Sequence, residues 1–314
     1  MNKPAVFFTW DIHYRCRYGC AYCFLHHETE TSSIPARGLC ADELYRVWRG
    51  LYERYGSARL SVTGGEPFDY PGFMDMVARL AAFDTFEFST NLDWDAREFS
   101  AKVPPGAAKI NPSFHPDHAA LPEFLEKCLH LKEKGYGLDC VTVVAYPPNL
   151  AALKDHKAEI ERRGISVVVF PFRGLHQGRE YPKAYTEAER AALRELGAGA
   201  AEEVNAGLAK SHSLDSGPRE RLQDRVCAMG TRYAKVIPNG DAFRCCAAVW
   251  TPAKTWPNWG PLGNIYDGTF RFDAEPRPCA IHEDGECRCH KAMVVGREDQ
   301  WRKHWPLGEE AARP

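Results

Sequence analysis

Three cysteines within eight residues, Cys16, Cys20 and Cys23, are the side chains of this sequence best suited to chemistry. Their spacing is C-x3-C-x2-C, an aromatic (Tyr22) precedes the last, and the next cysteine, Cys40, lies 17 residues on. Thiolates are the usual protein ligands of iron–sulfur clusters, and a closed four-iron cluster takes four of them. Three leave one iron with an open position, which is what separates a reacting metal site from a structural one. A zinc loop is the other reading of the same thiols, although this spacing is narrower than a bare C-x2-C.

A second constellation lies near the other end. Cys227, Gly240 and Cys245 read C-x12-G-x4-C around the turn Pro238-Asn239-Gly240-Asp241. Asn-Gly between two short apolar runs signals a hairpin, so Cys227 and Cys245 are expected to face each other across it. Cys279, Cys287 and Cys289 follow, with His282 and His290 among them, and imidazole keeps zinc open as an alternative. Cys246 adjoins Cys245 and would point to the opposite face of a strand. Cys40, Cys128 and Cys140 fall on helix or strand patterns and read as core.

The elements that must position these thiols follow from periodicity. Residues 5–10 form a short apolar strand feeding the cysteine loop. A helix over 42–55 carries Leu44, Val47, Trp48, Leu51 and Tyr55 at helical spacing, with Gly56 as its cap. A strand over 59–63 runs into Gly64-Gly65-Glu66-Pro67. The unit then repeats: helix 73–83 and strand 85–90, helix 95–101 and strand 108–114, helix 121–134 and strand 138–145, helix 150–163 and strand 165–170. Strands alternating with helices indicate βαβ units and a parallel sheet. The count gives six strands, and counting alone leaves a doubly wound sheet open beside a barrel. Thr186 and Glu189 form a capping box for a further helix to 196.

Bulk properties narrow the class. The chain has 314 residues, 44% hydrophobic and 26% charged, enough for one large and one small domain. A formal net charge of −2 gives no electrostatic case for nucleic acid. Twelve cysteines, with no signal-like segment ahead of them, suit metal-bound thiols in a reducing cytoplasm better than secreted disulfides. No apolar run approaches the ~20 residues of a membrane helix.

The strand Val6-Phe7-Phe8-Thr9-Trp10, the C-x3-C-x2-C loop and Gly64-Gly65-Glu66-Pro67 together resemble the radical S-adenosylmethionine (radical SAM) superfamily. The resemblance implies an α/β fold, a partial (β/α)6 barrel, over residues 1–185. It also implies a [4Fe-4S] cluster on Cys16, Cys20 and Cys23, whose fourth iron is chelated by S-adenosylmethionine. One electron from that cluster would cleave the cofactor to methionine and a 5′-deoxyadenosyl radical, which abstracts hydrogen from a substrate. Gly64, Gly65, Glu66 and Pro67 would meet the cofactor's amino group, with Glu66 pairing the cation. Ser89 and Asn91, in a Thr-Asn-Gly-like segment that has Leu92 in place of the usual Gly, and Ser113, would contact the rest.

The later cysteines resemble the SPASM extension or its shorter Twitch form. That implies a helix and linker over 186–226 and an auxiliary-cluster domain with its tail over 227–314. The spacing C-x7-C-x-C departs from the full SPASM set. A single auxiliary [4Fe-4S] cluster is therefore expected, on Cys227, Cys245 and two of Cys279, Cys287 and Cys289. The expected partners are a peptide or small-molecule substrate and a reductant such as flavodoxin or ferredoxin, with no nucleic acid and no membrane. The competing reading is a non-catalytic iron–sulfur or zinc protein for electron transfer or sensing.

Overall fold

The computed structural model describes residues 5–27, 34–198, 225–245, 261–278, 293 and 295–296. Cys246, Cys279, Cys287 and Cys289, together with His282 and His290, lie outside the described residues.

Six parallel strands carry the fold: β1 (Val6–His13), β2 (Ala58–Gly64), β3 (Thr85–Thr90), β4 (Ala108–Pro112), β5 (Cys140–Ala145) and β6 (Ser166–Pro171). Pairing runs β1-β2-β3-β4 in one sheet and β5-β6 in another. Parallel bridges Lys109↔Gly137 and Ser113↔Thr142 join the two. Among the described residues β6 pairs only with β5, so the ring of strands stays open between β6 and β1. This is the expected partial barrel.

Helices cover its outside. A single turn, α1 (Phe24–His27), follows the cysteine loop, and α2 (Ala41–Tyr55) leads into β2. Then α3 (Phe73–Leu80), α4 (Ala96–Lys102), α5 (Leu121–Glu133) and α6 (Leu150–Arg162) connect successive strands. The strands alternate as a two-faced sheet must. Phe8 and Trp10 of β1 pack on Trp48 of α2, and in register with them Leu60, Val62, Phe86, Phe88 and Ile110 are buried on the same face.

On β1 to β4 the opposite face, which lines the barrel, is mostly polar: beyond the buried Phe7 it carries Thr9 and Asp11, Arg59, Ser61 and Thr63, Glu87 and Ser89, Lys109 and Asn111. Arg59 pairs with Glu87 at 2.9 Å, and Asn111 donates to the other Glu87 oxygen at 2.9 Å. A closed eight-stranded barrel fills its interior with branched apolar side chains. Here the interior positions Arg59, Thr63, Glu87 and Asn111 are half-buried and Ser89 is exposed, leaving a polar, open lumen.

The later residues add further strands beyond the six of the barrel. After β6 a small hairpin, β7 (Gly174–His176) and β8 (Arg179–Tyr181), turns through Gln177 and Gly178 at φ 50° and 72°. Two positive φ values in a two-residue loop match the twist of a hairpin. The helix α7 (Glu187–Glu195) starts at the expected capping box of Thr186 and Glu189.

Further on come β9 (Val226–Cys227), β10 (Tyr233–Val236), β11 (Asp241–Phe243), β12 (Pro261–Asn264) and β13 (Arg277–Pro278). The strand β10 pairs in parallel with β1, so β10-β11-β12 continue the barrel sheet from its first edge. Two lumen-side contacts hold that junction: Tyr233 Oη donates to Thr9 Oγ1 at 3.0 Å, and Lys235 forms a buried ion pair with Asp11.

Candidate active site at the strand ends

The cysteine loop leaves β1 at His13 and is stitched to the turn that follows β2. Gly65 N–H donates to the His13 carbonyl at 2.7 Å, and Glu66 N–H to the Arg15 carbonyl at 3.0 Å. These backbones pass so closely that a Cβ on Gly64 would lie 2.2 Å from the His13 oxygen. One on Gly65 would lie 1.9 Å from the Arg15 oxygen. Glycine at both positions is therefore a steric requirement, and at Gly64 φ is also +116°. Arg17 adds a second clamp: its backbone N–H and its guanidinium both reach Asp69, at 3.0 and 2.6 Å, and the guanidinium donates to the Asp93 carbonyl at 2.9 Å.

Glu66 is turned inward. Its carboxylate, 2% exposed as a residue, accepts from Thr90 Oγ1 at 2.9 Å, Asn91 N–H at 2.7 Å and Phe68 N–H at 3.2 Å. Within the chain the side chain ties the turn after β2 to the end of β3. Burial pushes its pKa up to about 7, and the three donors work against that rise. Thr90 Oγ1 also accepts from Leu92 N–H and Trp94 Nε1. Leu92 stands at φ 63°, the left-handed region that glycine adopts without strain. That accounts for the glycine the resemblance expects there.

Around the thiols the strand ends converge. Asn91 Nδ2 lies 3.8 Å from Cys16 Sγ, while its Oδ1 accepts from Asp93 N–H at 2.8 Å. His115, just past β4, sets Nδ1 3.4 Å from Cys20 Sγ and 3.2 Å from Tyr22 Oη. Its ring stacks on Tyr22, and Tyr18 approaches it edge-on. Burial lowers the His115 pKa to about 4, so the ring is neutral. His115 and Cys20 are 95 positions apart, and nothing local in the sequence announces the approach of this histidine to a thiol. Ser113 shares a hydrogen bond with Thr142 Oγ1 at 2.7 Å, its hydroxyl turned towards β5, whereas Ser89 is exposed on the lumen face.

The donor set fits a thiolate-held cluster. None of the described cysteines forms a disulfide. Burial pushes the Cys20 thiol up to about 12 and raises Cys16 as well, so both stay protonated until a cation displaces the proton. Among the described residues no three His, Cys, Asp or Glu side chains converge as the ligands of one metal ion. With the cluster bound, Cys16, Cys20 and Cys23 would hold it, and the strand-end residues would surround its open iron.

The second constellation differs from expectation. The hairpin is present, with Lys235 opposite Phe243 and Val236 opposite Ala242, but Cys227 is not on it. Cys227 lies on β9, opposite Arg277 of β13. Five residues, 228–232, separate it from β10 of the hairpin, so the two cysteines are not cross-strand neighbours. They approach by another route: Arg244, next to Cys245, donates from its guanidinium to the Cys227 carbonyl at 3.3 Å and the Met229 carbonyl at 3.0 Å. Both cysteines are buried.

No family model matches the sequence, and no curated protein matches it. Solved structures do match. The structure of anSMEcpe with bound AdoMet aligns over 84% of this chain and 79% of its own, at 14% identity and a TM-score of 0.55. The anSMEcpe structure with AdoMet and the Cp18Cys peptide aligns over 84% and 78%, at 15% identity and a TM-score of 0.53. SuiB of Streptococcus suis aligns over 85% of this chain and 64% of its own, at 16% identity and a TM-score of 0.48. At such identities the likeness is one of fold: this chain shares the architecture of the anSMEcpe structures, which were solved with AdoMet bound.

Proposed function

We propose that this chain is a radical SAM enzyme that opens S-adenosylmethionine at the cysteine loop and abstracts hydrogen from a substrate held in the barrel lumen. One observation carries the reading. A loop of three thiols is locked, through Gly65, Glu66 and Arg17, to the ends of β2 and β3 beside a polar lumen. When bound there, a four-iron cluster supplies one electron for cleavage of the cofactor's carbon–sulfur bond.

The chain's own residues prepare the ground. Gly64 and Gly65 bring two backbones into contact, and Glu66 fixes the end of β3 against them. Carbonyls at this turn and the exposed Ser89 remain to orient the amino acid and ribose parts of the cofactor, with Asn91 and Ser113 beside them. The lumen's row of Thr63, Ser89, Asn111 and the Arg59–Glu87 pair suits a hydrogen-bonding substrate. The peptide in the anSMEcpe structure supports a peptide over an apolar metabolite.

Cys227 and Cys245, with two of Cys279, Cys287 and Cys289, are assigned to one auxiliary [4Fe-4S] cluster, in a unit over 227–314 that follows the core of 1–185. An acidic one-electron carrier of the flavodoxin or ferredoxin kind supplies the electron in a reducing cytoplasm. Among the described residues no helix is long and apolar enough to cross a membrane.

The test is anaerobic reconstitution with iron and sulfide, reduction, and addition of S-adenosylmethionine. Formation of 5′-deoxyadenosine and methionine by the wild type, and not by the Cys16→Ala, Cys20→Ala, Cys23→Ala triple variant, is expected. A wild type that takes up iron yet never cleaves the cofactor would return the protein to the electron-carrier reading.

A further inference from the structure

Cys20 has a side-chain neighbour unlike that of Cys16. The side-chain group facing Cys16 Sγ is the Asn91 amide, at 3.8 Å, whereas Cys20 Sγ has an imidazole nitrogen, His115 Nδ1, at 3.4 Å. The ring is held from several sides. Tyr22 stacks on it and Tyr18 meets it edge-on. His118 and Ala119 donate from their backbones to the His115 carbonyl, and Phe114 N–H is bonded to Thr142 of β5. The imidazole is thus carried by the barrel, not by the cysteine loop.

We propose that His115 donates a hydrogen bond from Nδ1 to the Cys20 sulfur of the loop cluster and thereby sets how easily that cluster accepts its electron. The inference rests on the cluster reading above and concerns a residue that reading leaves without a role. A ligand sulfur has lost its proton and can only accept, so a ring nitrogen facing it must carry the hydrogen. Tyr22 Oη, 3.2 Å from the same nitrogen, is hydrogen-bonded to the Cys20 side chain as well and would be a second donor to that sulfur, present alike in the wild type and in both His115 variants. A donated hydrogen bond draws charge from the sulfur and favours the reduced, more negative cluster; such bonds are among the levers that set cluster potentials. His115 acts through Cys20, so it is a positioning and tuning residue.

Asparagine is the informative substitution, because its Nδ2 occupies the place of the histidine Nδ1 and keeps a donor. The experiment compares wild type, His115→Leu and His115→Asn after anaerobic reconstitution. Iron and sulfide content is measured, along with the midpoint potential of the cluster whose EPR signal changes on adding S-adenosylmethionine. The expected result is a shift to more negative potential in His115→Leu, at wild-type iron content, and recovery of most of it in His115→Asn. Equal potentials in all three, or equal shifts in both variants, would overturn the proposal.

Should the leucine variant fail to hold a cluster, the wild type decides alone. Protein labelled with ¹⁵N-histidine should show a weak ¹⁵N coupling to the reduced loop cluster that is lost in His115→Asn, and its absence from the wild type would refute the bond. A wild type with no SAM-responsive cluster would instead remove the functional reading itself.

Discussion

Replacing Gly65 by alanine tests whether the turn after β2 positions the cysteine loop. The new Cβ would stand 1.9 Å from the Arg15 carbonyl oxygen and 2.5 Å from its carbon, where real Cβ atoms keep at least 3.0 Å. Neither neighbour is a flexible side chain, so the two backbones must part by about 1 Å. That separation breaks the Gly65 N–H bond to His13 and the Glu66 N–H bond to Arg15. Two backbone bonds at about 0.5–1.5 kcal/mol each, with residual strain of about 1–3 kcal/mol, make a loss of roughly 2–6 kcal/mol.

The same 1 Å displaces the loop against the ends of β2 and β3, a misplacement able to cost about 10²-fold in rate. Gly50→Ala is the control. It lies in α2 with nothing within 4 Å of its added Cβ, and helix propensity favours the change by about 1 kcal/mol. Denaturant unfolding of the metal-free proteins and 5′-deoxyadenosine formation after reconstitution measure the two effects. A Gly65→Ala protein as stable as the wild type and cleaving the cofactor at its rate would refute the stitching of turn to loop.

Other perturbations read separate parts of the structure. Glu66→Ala strands the donors of Thr90, Asn91 and Phe68 and should cost about 2–4 kcal/mol; unfolding at unchanged stability would show that the buried carboxylate holds nothing together. Lys235→Met leaves Asp11 charged and buried, a loss of about 3–5 kcal/mol, and adding Asp11→Asn should restore most of it, a recovery that would fail if the pair did not join β10 to β1.

Asp84 gives a pH dependence. It is buried, one oxygen accepts from Ala58 N–H at 2.7 Å, the other has no hydrogen-bond partner among the described residues, and burial pushes its pKa up to about 7 against the ordinary 3.8. The folded chain therefore binds this proton more tightly than the unfolded one. Its stabilisation is complete below about pH 4 and is lost as pH rises through 7, on the order of 4 kcal/mol. Asp84→Asn keeps the acceptor without the charge, so its stability should lose that slope; equal slopes in both proteins would remove Asp84 from the account.

The sequence made the repeating units legible because each depends on local patterns. The apolar run before the cysteine loop, the helical spacing of Leu44 and Trp48, and the capping box at Thr186 lie within a few residues of what they specify. The continuous apolar run Val167-Val168-Val169-Phe170 suits a strand covered on both faces, and the structure buries the three valines while Phe170 is half-buried. What stayed hidden depends on distance. Pairing of β10 with β1 joins residues over 220 positions apart, and no periodicity encodes a register across that span.

The inward turn of Glu66 was equally invisible, since its three donors sit on two different elements. Cys227 was misplaced because the Asn239-Gly240 turn specifies a hairpin but not its length: the paired strands end at Tyr233 and Phe243, short of it. The β7–β8 hairpin did leave a trace in Gln177-Gly178, a two-residue loop of the right kind, which short flanking strands made easy to pass over.

The central claim, that Cys16, Cys20 and Cys23 hold a cluster with one iron open to S-adenosylmethionine, is met most directly by EPR of the reduced, anaerobically reconstituted protein. The account predicts a four-iron signal that changes shape when S-adenosylmethionine is added, and its loss in the triple-alanine variant while about four irons per chain remain at the auxiliary site. A wild type in which no part of the signal responds to the cofactor, or a cofactor-responsive signal that survives removal of all three thiols, would contradict it.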